Sequence, residues 1–375
     1  MKLSSPKYII LLSVLAIFVG CTTMSEPSEK RPYHHTDKGF RNLYVTIDKG
    51  LTEVFKMRFG GDTEWVNPLR EAAQVPRAKP ELSRINTPIE DQPQFTWVGH
   101  STFLIQYRGL SILTDPMFSE RASPVSFAGP KRYTEPGIQL ADLPPIDIVV
   151  ISHNHYDHLD LPTLEALGPE VTYVVPLKNG DLLRSIGLTK IHELDWHESI
   201  DLPKGLKIHA TPSQHWSARG IFDRRDALWA AFVLEWSDYN VFFGGDTGYT
   251  QKLFTDIGER YGAFDAALIP IGAYEPRWFM KAAHVNPTEA VAIHRDIKSQ
   301  WSLGIHWGTF PLTAESPLSP PQALSLALQE AKIDESEFIT LALGETLLAP
   351  RTQDRAENSV IKSNDEATPS PDTVE

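Results

Sequence analysis

The segment Ser152-His153-Asn154-His155-Tyr156-Asp157-His158 follows directly on an apolar run, Ile146 to Ile151, interrupted only by Asp147. A β-branched run of this kind reads as a strand buried on both faces. Four side chains able to ligate a metal, His153, His155, Asp157 and His158, thus leave the end of a core strand together. Neutral imidazole and carboxylate suit zinc, and also iron and manganese. A satisfied core histidine explains one lone His, but not four donors in one loop. A short loop cannot close a two-metal site by itself, so the fold must bring further ligands to it.

The candidates for those ligands share one context, a strand-like run, a turn and then a polar residue. Ile208 to Gln214 precedes His215, Val241 to Gly245 precedes Asp246, and Ser302 to Ile305 precedes His306. Asp115 follows Ile112-Leu113-Thr114 in the same way. Loops at strand ends, gathered on one edge of a sheet system, would let such residues converge. Strands are expected at Thr102–Tyr107 and Ser111–Thr114, as a hairpin about residues 108–110, and as a pair at Leu228–Trp236 and Asn240–Phe243. Helices are expected at Leu161–Leu167, Gly180–Ile186, Pro287–Ile297 and Pro321–Lys332. Strands mixed with intervening helices indicate a layered α/β architecture. No internal repeat of fixed period is visible.

The N-terminus reads as an export signal. Lys2 and Lys7 precede an apolar stretch, Tyr8 to Gly20, too short to span a bilayer comfortably. It ends Phe18-Val19-Gly20-Cys21, which resembles a bacterial lipobox with Cys21 as the lipidated residue. This gives a signal peptide over 1–20 and a polar, lipid-anchored tether over 21–39. Thr22 after the cysteine, where no Asp stands, slightly favours the outer membrane, with the protein on the periplasmic side. Cys21 is the only cysteine, which removes thiolate metal sites, disulfides and cysteine nucleophiles from consideration. From Phe40, the residues Leu43, Tyr44, Ile47, Leu51, Val54 and Phe55 recur at helical spacing and open an N-terminal extension over 40–94. That face either packs on the catalytic domain, over 95–350, or meets a membrane near the site. The polar tail 351–375 lacks apolar periodicity and is expected to be disordered. A net charge of -13 argues against nucleic acid as a general partner.

The order His153-x-His155-x-Asp157-His158, His215, Asp246, His306 resembles the metallo-β-lactamase superfamily. The resemblance implies an αββα four-layer sandwich with a binuclear site, most simply two zinc ions. It places His153, His155 and His215 on one metal, Asp157, His158 and His306 on the other, and Asp246 between them, while Asp115 orients a ligand. Longer blocks narrow the likeness. Trp97-Val98-Gly99-His100, Gly129-Pro130-Lys131-Arg132, Thr211 to Trp216, Gly245 to Tyr249, Ile269 to Met280 and Ile305 to Phe310 look like the N-acylphosphatidylethanolamine-hydrolysing phospholipase D family. The family implies hydrolysis of N-acylphosphatidylethanolamine to phosphatidate and an N-acylethanolamine by metal-bound hydroxide. Asp157 and His284 are then candidate catalytic residues, and Ala283 stands where the animal enzymes have Gln. His100 is a weaker candidate for an orienting role. Arg132 and Arg277 are as readily solvated as phosphate-binding and are left outside the site. A lactonase or small-molecule phosphodiesterase of the same superfamily and, more remotely, a non-catalytic envelope binding module remain alternatives. Neither reading excludes a homodimer.

Overall fold

The structure of the protein is a computed structural model, and it describes residues 31–350 with the exception of Asp48 and Asp62. The expectations for the signal peptide, Cys21 and the tail after residue 350 lie outside the described residues. The chain opens with a hairpin, β1 (His35–Thr36) and β2 (Gly39–Phe40), then an irregular stretch, helix α1 (Leu51–Phe59) and helix α2 (Leu82–Asn86). A first sheet forms from β3 (Gln94–Gly99), β4 (Thr102–Tyr107), β5 (Leu110–Thr114), β6 (Ile148–Val150), β7 (Thr172–Pro176) and β8 (Ile191–Leu194). Helix α3 (Leu161–Leu167) follows β6, and α4 (Gly180–Arg184) follows β7.

A second sheet holds β9 (Ser199–Asp201), β10 (Lys207–Thr211), β11 (Ala231–Glu235), β12 (Asn240–Phe243), β13 (Ala266–Pro270), β14 (Ser302–Ile305) and β15 (Phe338–Ile339). Between its later strands run helices α5 (Gln251–Tyr261), α6 (Arg277–Met280), α7 (Pro287–Asp296) and α8 (Ser319–Ala331). The last strand, β16 (Thr346–Leu348), returns to the first sheet beside β3. Both seven-stranded sheets then follow one pairing plan. In the first, β16, β3, β4 and β5 pair antiparallel and β5, β6, β7 and β8 parallel. In the second, β9 to β12 pair antiparallel and β12 to β15 parallel.

Alternation along the strands separates two cores, as the two-residue period of a strand requires. Phe103, Ile105, Ile148 and Val150 face the second sheet's Phe232, Leu234 and Phe243, and that cluster continues to Leu253, Val291 and Leu324 of α5, α7 and α8. Leu104, Val149 and Ile151 face outward onto Leu164 of α3 and Leu183 of α4. The layers are therefore αββα. Burying each such side chain is worth about 1.5–3 kcal/mol, whereas surface pairs such as Arg108–Asp238, both about half exposed, contribute little. At the β4–β5 turn, Arg108 and Gly109 both take positive φ, which suits a two-residue hairpin loop.

Two expectations at the N-terminus need correction. The tether cannot extend to residue 39, because His34 is buried and residues 35–40 form the hairpin. The helical spacing from Phe40 is also misleading. Phe40 lies in β2, and helix begins only at Leu51, because the backbone between them bonds to the segment 214–225 rather than to its own preceding turn. Phe40 and Ile47 are buried while Phe55 is 65% exposed, so the apolar residues do not share one face.

Candidate metal centre

The ends of five strands supply the site. Asp115 directly follows β5, the loop from Ser152 follows β6, and His215, Asp246 and His306 follow β10, β12 and β14. His100, Asp115 and His306 have positive φ, a costly conformation away from glycine that turns the chain sharply out of the sheet. Gly245, also at positive φ, packs on Ser152, and a Cβ there would lie 2.5 Å from the Cβ of Ser152. Only glycine brings the Asp246 segment so close to the β6 loop.

Seven side chains named from the sequence converge. The ligand atoms of His153, His155 and His215 form one tight group, and those of Asp157, His158 and His306 lie with His100 in another. His215 Nε2 is 3.3 Å from His155 Nδ1. His158 Nε2 is 3.3 Å from both Asp157 Oδ2 and Asp246 Oδ2, and His306 Nε2 is 3.4 Å from Asp157 Oδ2. Two ligands held by one zinc at 2.0–2.1 Å in tetrahedral geometry lie roughly 3.3 Å apart. The Asp246 carboxylate stands between the groups, with Oδ1 3.1 Å from His306 Nε2 and Oδ2 3.7 Å from His215 Nε2.

Other hydrogen bonds aim the imidazoles. Asp115 accepts from His158 Nδ1 at 2.6 Å and from the backbone N–H and hydroxyl of Ser152, and the Ser152 hydroxyl also meets His153 Nδ1 at 2.9 Å. His215 Nδ1 lies 2.9 Å from the Ala283 carbonyl. In each case Nδ1 is engaged, which leaves Nε2 as the inward donor. Several inward atoms are buried without a hydrogen-bond partner, among them Nε2 of His158 and His306 and Oδ1 of Asp246. Orphans gathered at one point need an explanation, and a cation supplies it.

The charge balance agrees. Burial lowers the pKa of His155 to about 3 and of His215 to about 4, so both imidazoles offer lone pairs. Burial opposes charge on His158 and His306 too, yet Asp246 and its neighbouring carboxylates overcome it, holding His158 well above its usual value and His306 up to about 9. Without metal, protons therefore balance the carboxylates, and divalent cations would displace them.

Around this cluster the other named residues separate by role. His284 is half-buried, and its buried, unpartnered Nδ1 lies 3.8 Å from Asp246 Oδ2. His100, after β3, places Nε2 2.9 Å from Asp157 Oδ2. Arg132 is not an exposed arginine. It is buried, donates to the carbonyls of Ser119 and Met117, and lies over the Phe310 ring. Arg277 donates to the His284 carbonyl and pairs with Glu289 at 2.7 Å. Sequence reasoning missed Ser152, whose only signal is its place at the head of the histidine loop. It also missed Asn42 and Gln214, which bear on His215.

A family model described as "Beta-lactamase superfamily domain" matches residues 111–307, which include the four-donor loop, His215, Asp246 and His306. The N-acyl-phosphatidylethanolamine-hydrolyzing phospholipase D 1 of Caenorhabditis elegans is 42% identical over 264 residues, covering 67% of this chain and 74% of the worm protein. The chain belongs to the metallo-β-lactamase superfamily. A second relative, the mitochondrial N-acyl-phosphatidylethanolamine-hydrolyzing phospholipase D of Saccharomyces cerevisiae, is 36% identical over 294 residues, covering 74% of this chain and 62% of the yeast protein. The solved structure of a metallo hydrolase from Ignicoccus hospitalis matches with a TM-score of 0.53 at 20% identity, over 70% of this chain and 100% of that one, and supports the fold. Within the superfamily, this protein is a metal-dependent hydrolase related to the phospholipase D branch.

Proposed function

We propose that the protein is a binuclear zinc phosphodiesterase that hydrolyses N-acylphosphatidylethanolamine to phosphatidate and an N-acylethanolamine. The 42% identity to the worm phospholipase D over 264 residues carries this reading. His153, His155 and His215 would hold one ion, Asp157, His158 and His306 the other, and Asp246 both. Such ions act as Lewis acids and lower the pKa of water towards about 7. The chain's own groups orient the reactants. Asp115 and the Ala283 carbonyl fix the ring tautomers. His284 presents a free Nδ1 beside Asp246, where it suits a hydrogen bond to a phosphoryl oxygen or to the leaving alcohol. Arg277 holds the His284 backbone in place.

The surroundings fit a lipid. A cavity of about 960 Å³ is lined by Met57, Trp65, Val66 and Leu69, of which Leu69 is 72% exposed. Arg58, Arg121 and Lys131 add positive charge there. Exposed apolar groups around a cleft mark lipid or partner contact. Val66 and Leu312 also line a smaller space that reaches His100 and His306. A lipidated Cys21 on the periplasmic side would hold the enzyme beside such a substrate.

The test is mass spectrometry of products from N-acylphosphatidylethanolamine, run beside phosphatidylethanolamine, a lactone and a small phosphodiester, with the metal-loaded full-length protein in ¹⁸O-labelled water. Phosphatidate carrying ¹⁸O, together with N-acylethanolamine, is the expected result. Rapid lactone turnover with both lipids intact would sink the lipid reading and leave the metal hydrolase standing.

A further inference from the structure

Among its described residues, the segment from His34 to Lys49 supplies no ligand to this centre, and it lies outside the residues that match the superfamily domain. It nevertheless runs along the loop that carries His215. The Phe40 N–H donates to the Arg225 carbonyl. The Gln214 side chain donates to the Val45 carbonyl at 2.7 Å and accepts from the Val45 N–H. Arg224 donates to the carbonyls of Ile47 and Lys49. At its start the segment is clasped by Asp195, whose two carboxylate oxygens meet His34 Nε2 and His35 Nε2 at 2.6 Å each.

The decisive contact is Asn42. His215 is fully buried and lies beyond the last residue of β10, so its backbone has no neighbouring strand to pair with. Buried backbone groups must nonetheless be satisfied. The Asn42 amide does this as a strand would. Its Nδ2 donates to the His215 carbonyl at 2.9 Å, and its Oδ1 accepts from the His215 N–H at 3.1 Å. Trp229 Nε1 donates to the same Oδ1 at 3.2 Å and holds the amide in orientation. Asn42 fixes the His215 backbone, and the Ala283 carbonyl fixes Nδ1. The only polar atom of His215 left over is Nε2, which faces His155 and Asp246.

We infer that Asn42 is a positioning residue for the metal that His153, His155 and His215 would hold. The inference rests on the reading of the cluster as a two-metal centre. Losing a partner that orients a ligand typically weakens metal affinity about 10–100-fold. Asp157, His158 and His306, which would hold the other ion, share no hydrogen bond with the described residues of the strap, so that ion should bind normally.

The experiment uses the full-length protein, stripped of metal and titrated with Zn²⁺ against a chelating dye, and with Co²⁺ to read ligand-field absorption. Asn42→Ala is expected to weaken one of two binding events about 10–100-fold and to alter the Co²⁺ bands of that ion alone. Asn42→Asp keeps the size and the acceptor but sets a carboxylate oxygen against the His215 carbonyl, so it should also weaken the same ion, and it decides the matter if the alanine variant does not fold. Ile47→Ala removes a buried strap side chain that cannot hydrogen-bond to His215, and should lower thermal stability while leaving both affinities intact. Unchanged affinities and Co²⁺ bands in the folded Asn42 variants would overturn the inference, as would an equal selective loss in Ile47→Ala. Wild-type protein that binds neither ion would instead overturn the metal-centre reading.

Discussion

In the first sheet a single strand, β6, releases four metal-competent side chains in one continuous loop, whereas the second sheet delivers His215, Asp246 and His306 one at a time from three strands. The pairing plans are the same, so β3 corresponds in position to β10 and β5 to β12. His100 and His215 follow the first pair, Asp115 and Asp246 the second. Their roles differ all the same. Asp115 comes immediately after Thr114 and reaches only Ser152 and the outer nitrogen of His158. Asp246 follows two glycines, and because Gly245 can pack directly on Ser152, its carboxylate reaches in among the inner nitrogens. Equivalent strands thus carry a carboxylate that orients and one placed to bridge, and the length and bareness of the connecting turn make the difference.

If that contrast is right, the two aspartates should fail differently. Asp246→Ala should have the largest effect, releasing both ions and reducing turnover by more than the 10–100-fold typical of losing an orienting partner. Elemental analysis with two ions retained would break the comparison outright. Asp115→Asn should be milder. It should weaken chiefly the ion at His158 by about 10–100-fold, because an amide has one acceptor oxygen where the carboxylate offers two, one to the Ser152 N–H and the other to His158 Nδ1, and metal titration would show one affected step. The smallest effect concerns the helices behind the sheets. His294 of α7 is buried against Ser302, while α3 and α4 behind the first sheet hold no histidine. Burial, with Arg295 nearby, lowers its pKa from 6.5 to about 4. The folded state therefore prefers the neutral ring, and the stability this provides is complete above about pH 6.5 and lost as pH falls towards 4. Thermal melts of His294→Asn should lose less stability than wild type across that window, by on the order of 1–3 kcal/mol, and parallel curves would remove the asymmetry.

Legibility followed the same division. The β6 loop could be read directly because its donors are adjacent in sequence. The strand-end context raised His215, Asp246, His306 and Asp115 as candidates, but it was the family resemblance that assigned them to particular ions. Ser152 went unnoticed because a serine before a histidine loop carries no spacing signal. Asn42 was invisible for a stronger reason, since its partner lies 173 residues away and the contact is made to backbone. The spacing from Phe40 to Phe55 suggested one helical face, yet Ile47 serves a buried contact and Phe55 an exposed one.

Sequence alone determined the chemistry available to this protein. Imidazoles and carboxylates at strand ends, with Cys21 as the only cysteine, point to a hydrolytic metal site without thiolates. Apolar periodicity likewise determined most of the strands, since burial on both faces leaves a continuous run. Tertiary structure decided which residues orient and which are placed to ligate. That distinction depends on a few ångströms of reach, set by Gly245 against Ser152 and by a side-chain amide from the N-terminal strap. Local spacing cannot record such distances, because they arise only when the two sheets and the N-terminal strap meet at one edge.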